Sequence, residues 1–218
     1  MFLGHFGAGF AGKKIDKTAS LGTYFMAAQW IDLIWPILIL LGIEKVEVKP
    51  GISSVTPLDF VYYPLSHSLL AVFIWAILFG LVYYLIKKNL KASVVLGLLV
   101  LSHWFLDLIV HIPDLPILPG TDLKVEFGLW NNFAATLILE VLIFGFGAYL
   151  YFRGTKAKNK AGLYSLIGLI VFLSLIYAAN LFGPPPDSVE AIGIAGNAQW
   201  LIILWVYWID RNRKSNDK

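Results

Sequence analysis

The chain has 218 residues, 58% of them apolar and 14% charged, with a formal net charge of +3. That balance excludes a soluble globular domain, and the small positive excess is spread over short loops, which gives no argument for a nucleic-acid partner. The absence of cysteine excludes disulfides, thiolate metal sites and cysteine nucleophiles.

In chain order, the first segment is glycine-rich. "GAGFAG" at 7–12 matches G-x-G-x-x-G, but no strand precedes it, so small residues for close helix packing explain it better than a dinucleotide site. Residues 2–12 either dip into the bilayer as a half-helix, carrying His5 inward, or lie on the surface. Their four glycines leave both open.

Six apolar runs follow, at residues 20–43, 60–86, 92–112, 130–152, 162–182 and 190–209. A hydrocarbon core of roughly 30 Å needs about 20 apolar residues per helix, so the expected fold is an all-α membrane protein: a six-span transmembrane helical bundle forming one domain over 1–218. "TPLD" at 56–59 reads as a helix start, with Thr56 as cap and Pro57 in the first turn. "KPGISS" at 49–54 and "GPPPDS" at 183–188 read as external loops. Lys13, Lys14 and Lys17, then Lys87, Lys88 and Lys91, then Arg153, Lys156, Lys158 and Lys160, and finally a short basic tail over 210–218 ending in Lys218 fall in alternate connections. The positive-inside rule therefore predicts that both termini are cytoplasmic. Trp30, Trp35, Trp104, Trp130, Trp200, Trp205 and Trp208 suit packing or interfacial anchoring. No internal repeat stands out; "AQW" at 28–30 recurs at 198–200, a match short enough to be chance.

Ionisable residues inside these runs carry the functional signal. In "LSHWFLDLIVHIPD" at 101–114, His103, Asp107 and His111 are spaced by four. Residues so spaced lie about 40° apart around a helix and about 6 Å apart along it, so the three form one stripe. A charge at the bilayer centre costs about 2.5–3.5 kcal/mol even on insertion scales, and such residues usually face the bundle interior and mark function. Asp32, His67 and Glu140 lie on other runs at overlapping depths. Imidazole and carboxylate donors suit a divalent metal, zinc first and manganese or iron as alternatives. His103 and Asp107 can chelate one ion from a single helix face, with His67 and Asp32 closing the site. His111 is too far along the helix to join that ion easily, leaving a second metal, a proton shuttle or substrate binding. Structural readings stand beside these: a His103–Asp107 hydrogen bond as interhelical glue, a protonated Glu140 in an apolar bundle, and His111 as a boundary residue.

"GH" at 4–5, "WID" at 30–32 with its membrane aspartate, "SHSLLAV" at 66–72 and "LSHWFLD" at 101–107 resemble, in order and approximate spacing, a LexA-regulated inner-membrane family predicted to be membrane-bound metal-dependent hydrolases. The resemblance covers about the first half of the chain. It implies an inner-membrane, multi-pass location, and His5, Asp32, His67, His103 and Asp107 as metal-binding residues; Asp32, as ligand or base, and Asp107 are the expected catalytic residues. The chain departs from the family pattern in lacking a His soon after Asp32 and a His-Arg-Gly before His67.

The expected function is metal-dependent hydrolysis of a lipid-like ester or phosphoester drawn from the surrounding membrane lipids. No G-x-S-x-G or H-E-x-x-H motif is present, so water activated by the metal is the expected nucleophile. The alternatives are a proton- or metal-coupled transporter using the same cluster, and a noncatalytic membrane protein with a structural metal.

Overall fold

Backbone polar groups in lipid must be satisfied within their own segment, and the computed structural model, which describes residues 1–216, meets this with helices nearly throughout. The elements are α1 (Leu3–Ile15), α2 (Leu21–Ala28), α3 (Trp30–Leu40), β1 (Lys45–Val48), β2 (Leu58–Tyr62), α4 (Leu69–Lys87), α5 (Leu90–Val110), β3 (Leu115–Pro116), β4 (Lys124–Val125), α6 (Phe133–Gly154), β5 (Thr155–Ala157), α7 (Lys160–Phe182), α8 (Val189–Asn197), α9 (Gln199–Arg211) and β6 (Arg213–Ser215). Among the described residues, α4, α5, α6, α7 and the α8–α9 unit are long and apolar enough to cross a membrane; α2 and α3 add a sixth crossing if the pair, bent by 55°, acts as one span. Half of the apolar stretch of α5 is buried, more than in any other span. It is the central helix, and it carries the polar stripe.

The antiparallel pairs β1–β2 and β3–β4 close one end of the bundle, and β5–β6 lies at the other, lysine-rich end. Two expectations need correction here. The second span begins at Leu69, not near 60, and no helix starts at Thr56: Leu58–Tyr62 is a strand paired with Lys45–Val48. Pro64 offers no N–H to an earlier helix, and Ser68 starts the real one by accepting from the Ala71 amide at 3.2 Å. The described part of the basic tail packs on the bundle. Arg213 is buried, donating to Thr155 Oγ1 at 3.0 Å and to the Gly162 carbonyl at 2.8 Å; Asp217 and Lys218 lie outside the described residues.

The N-terminal segment is the inserted half-helix. At 13 residues α1 is too short to span, and it enters from the lysine-rich end, where Lys13 Nζ donates to the Ala19 carbonyl at 2.6 Å and pairs with Asp210 at 3.3 Å. Its other end, with a buried Met1, lies deep among α2, α5 and α6. The glycines explain this placement. A Cβ at Gly7 would stand 2.6 Å from the Ile143 carbonyl oxygen of α6, and one at Gly147 would fall onto the Gly7 carbonyl. In lipid, helix association relies on such close packing. Gly147→Val should therefore push α1 off α6, at a cost of about 1–3 kcal/mol. A fall in thermal midpoint in detergent checks this; an unchanged midpoint contradicts it.

Candidate metal centre

All four histidines of the chain meet around two aspartates in the middle of this bundle. Each arrives by a different local device. α1 delivers His5, whose ring stacks on that of His103 with centroids 3.6 Å apart. The break between α2 and α3 at Gln29 places Asp32 in the first turn of α3. His67 comes from the turn before α4, not from a helix as its sequence suggested; Glu44 holds that turn by accepting from the Leu65 and Ser66 amides at 2.8 and 2.9 Å. His103 and Asp107 lie on one face of α5, as their spacing predicts. His111 caps the end of α5, packed on the Trp130 ring at 4.1 Å.

The separations are those of a ligand cluster. Asp32 Oδ1 lies 3.6 Å from both His67 Nε2 and His103 Nε2. Asp107 Oδ2 lies 3.1 Å from His103 Nε2 and 3.9 Å from His67 Nε2. Asp107 Oδ1 lies 3.0 Å from His5 Nε2 and 3.9 Å from His111 Nε2, and the Met1 amine meets the same oxygen. Two groups, His5–His103–Asp107 and Asp32–His67–His103, have donor atoms close enough to share an ion. Metal–ligand bonds of about 2.0–2.2 Å put tetrahedral donor atoms about 3.3–3.6 Å apart, close to the distances here. Asp32 is the one residue among these that keeps real exposure, 24% of its side chain.

The far nitrogens of three imidazoles decide the polarity of the site. His103 Nδ1 sits 2.9 Å from the carbonyl oxygen of Ala28, the last residue of α2. A carbonyl only accepts, so Nδ1 carries the hydrogen. Ser66 gives its hydroxyl hydrogen to Glu44 Oε2 at 2.6 Å and therefore accepts from His67 Nδ1 at 2.7 Å. His111 Nδ1 donates to Asp114 Oδ1 at 2.8 Å, which Tyr63 also reaches at 3.1 Å. In their neutral forms all three rings thus turn bare Nε2 lone pairs toward two carboxylates. His103 Nε2 is buried and has no hydrogen-bond partner despite the nearby Asp107. Lone pairs and anions converging in a buried site could hold a cation, and outward Nδ1–H anchors are the usual support of metal-binding histidines.

Glu140 does something else. Its carboxylate accepts from the Phe2 amide at 2.9 Å and the Gly4 amide at 3.2 Å, capping the buried start of α1. It positions His5 and is not turned to the cluster. Sequence reasoning missed Glu44 and Asp114 as anchors of the histidines. Asp114 had a local signal, three residues after His111; Glu44 had none, because its partners lie more than twenty residues away.

The model of the YdjM inner membrane protein family matches residues 63–182, more than half of the chain. The chain belongs to the YdjM inner membrane protein family. Its apolar helices agree with a multi-pass protein of the inner membrane. Within the matched segment lie His67, His103, Asp107, His111, Asp114 and Glu140; His5, Asp32 and Glu44 precede it. Comparison with curated proteins and with solved structures gives no match.

Proposed function

We propose that this YdjM-family chain is a membrane-embedded, metal-dependent hydrolase of a lipid-like ester or phosphoester, six-spanning, with its lysine-rich end in the cytoplasm. The observation that carries the metal reading is the convergence of outward-anchored histidines on Asp32 and Asp107. Asp32, His67 and His103 would hold a divalent ion, zinc by donor set, with three protein donors leaving a further position, as catalytic sites do. A bound ion would supply Lewis acidity toward an ester or phosphoester oxygen and toward water. Asp107 stands beside His67 and His103 as ligand or base, and partly exposed Asp32 marks the side from which a membrane-dissolved substrate enters.

Glu44 and Ser66 hold the tautomer of His67. Glu44→Gln should lower metal affinity about 10–100-fold, the usual effect of losing such an anchor, measured by competition with a chelating dye; unchanged affinity would remove Glu44 from this role.

A transporter remains the second reading because of one observation. The span carrying Asp32 is broken, and Gln199, beside the interruption between α8 and α9, donates to the Asp32 carbonyl at 3.3 Å while Trp30 and Trp200 meet edge-on at 6.5 Å. The two "AQW" segments thus meet where the first span breaks and α8 joins α9, and broken helices are a feature transporters use at binding sites. Zinc-loaded protein tested on mixed lipid esters and phosphoesters separates the readings. Hydrolysis lost in His103→Ala supports the hydrolase. Ion or proton flux in proteoliposomes without hydrolysis supports transport.

A further inference from the structure

The end of the bundle closed by the β3–β4 pair carries two depressions that meet at one side chain. A polar cleft of about 180 Å³ has Tyr63, Asp114, Thr121, Asp122 and Lys124 in its wall. An apolar groove of about 450 Å³ is lined by Trp104, Leu108, Ile117, Val125 and Phe127, again with Lys124. Lys124 is exposed and makes no ion pair among the described residues. Asp114 is buried, and its two oxygens differ. Oδ1 accepts from His111 Nδ1 at 2.8 Å and from the Tyr63 hydroxyl at 3.1 Å, whereas Oδ2 is buried without a hydrogen-bond partner. A buried carboxylate oxygen that lacks a donor is costly, and this one belongs to the wall of the cleft.

We infer that this end of the protein binds a phospholipid with a primary-amine headgroup, its ammonium donating to Asp114 Oδ2, its phosphate beside Lys124 and an acyl chain along the apolar groove. Charge complementarity selects that occupant. The carboxylates of Asp114 and Asp122 share the cleft with the Lys124 ammonium, so a purely anionic headgroup meets net repulsion, whereas one carrying both charges matches each partner. The free oxygen of Asp114 also needs a hydrogen to accept, which a primary ammonium supplies and a trimethylated one does not. A largely apolar lining with a few placed polar groups is the usual make-up of a small-molecule site. Asp32, His67 and His103 line neither depression, so the site does not depend on a bound ion. It does lie next to the cluster: Asp114 orients His111, whose Nε2 is 3.9 Å from Asp107 Oδ1. A headgroup on Asp114 would therefore steady the ring that faces Asp107.

The experiment is native mass spectrometry of the detergent-purified full chain, stripped with a chelator and titrated with phospholipids of identical acyl chains bearing ethanolamine, choline or glycerol headgroups. Wild type should bind the ethanolamine lipid about tenfold more tightly than the other two, the scale of one charge-assisted hydrogen bond. Asp114→Asn keeps an oxygen for His111 and Tyr63 but sets an amide nitrogen in place of the free acceptor, and should abolish the preference. Lys124→Gln, at an exposed position, should weaken the ethanolamine and choline lipids alike and leave their order unchanged. Equal binding of the three headgroups by wild type, a preference for glycerol, or a preference that survives in Asp114→Asn would overturn the site. Should Asp114→Asn fail to fold, the headgroup order in wild type and the loss in Lys124→Gln decide, and undiminished binding by Lys124→Gln would overturn it.

Discussion

Asp107→Asn is expected to be the most damaging single substitution in the chain. Asp107 is buried and stands within 4 Å of a nitrogen from each of the four histidines and from the Met1 amine. An amide presents one acceptor where the carboxylate presents two, and it brings no charge to balance a cation or the amine. Removing one partner of a buried charge pair costs about 3–5 kcal/mol. The variant should melt well below wild type in the same detergent even without added metal, and should take up no ion when zinc is supplied. A thermal melt with and without zinc measures both effects: wild type should gain stability from the ion by mass action, and Asp107→Asn should not. A variant that melts like wild type and keeps the zinc-dependent shift would show that Asp107 is neither the hub of the network nor a ligand.

Glu140→Ala is expected to have the next largest effect, by a different route. The substitution strands the Phe2 and Gly4 amides at the buried start of α1. Each unsatisfied buried donor costs about 1–3 kcal/mol, and α1 has no side-chain cap of its own to replace the loss. The half-helix should loosen and carry His5 away from Asp107. Hydrogen exchange should then rise across residues 3–15 while α4 and α5 stay protected. Glu140→Gln retains one oxygen and should fall between wild type and Ala. Metal binding separates this role from ligation: the ion held by Asp32, His67 and His103 should persist in Glu140→Gln, whereas a ligating Glu140 would lose it.

These two carboxylates show what could and could not be read from the chain. Both sit in apolar runs and both marked the interior, but only Asp107 belonged to a periodic stripe, and only Asp107 proved to be in the cluster. Helical spacing carries information about a shared face; a lone buried Glu carries none about its partner. The apolar runs were legible because bilayer thickness fixes helix length, and the glycines of α1 were legible as packing residues. The break at Gln29 was not, since "AAQWID" contains neither glycine nor proline. His67 was assigned to the wrong element, because a turn held by Glu44 does the work expected of a helix. His111 was set at the boundary by counting along α5. In the fold the helix ends at Val110, and the following turn, with Asp114, points the imidazole back toward Asp107. Such returns depend on long-range contacts, which a periodicity argument cannot supply.

Whether the outward-anchored histidines and the two aspartates hold a metal is decided by bound metal itself. The most direct test is the metal content of untagged protein, purified in mild detergent and reconstituted with zinc, compared with a His103→Ala, Asp107→Asn double variant by mass spectrometry. At least about one zinc per chain in wild type, absent from a folded double variant, is the predicted result. Equal zinc in both, or none in either, would contradict it and leave the cluster as a buried hydrogen-bonding network.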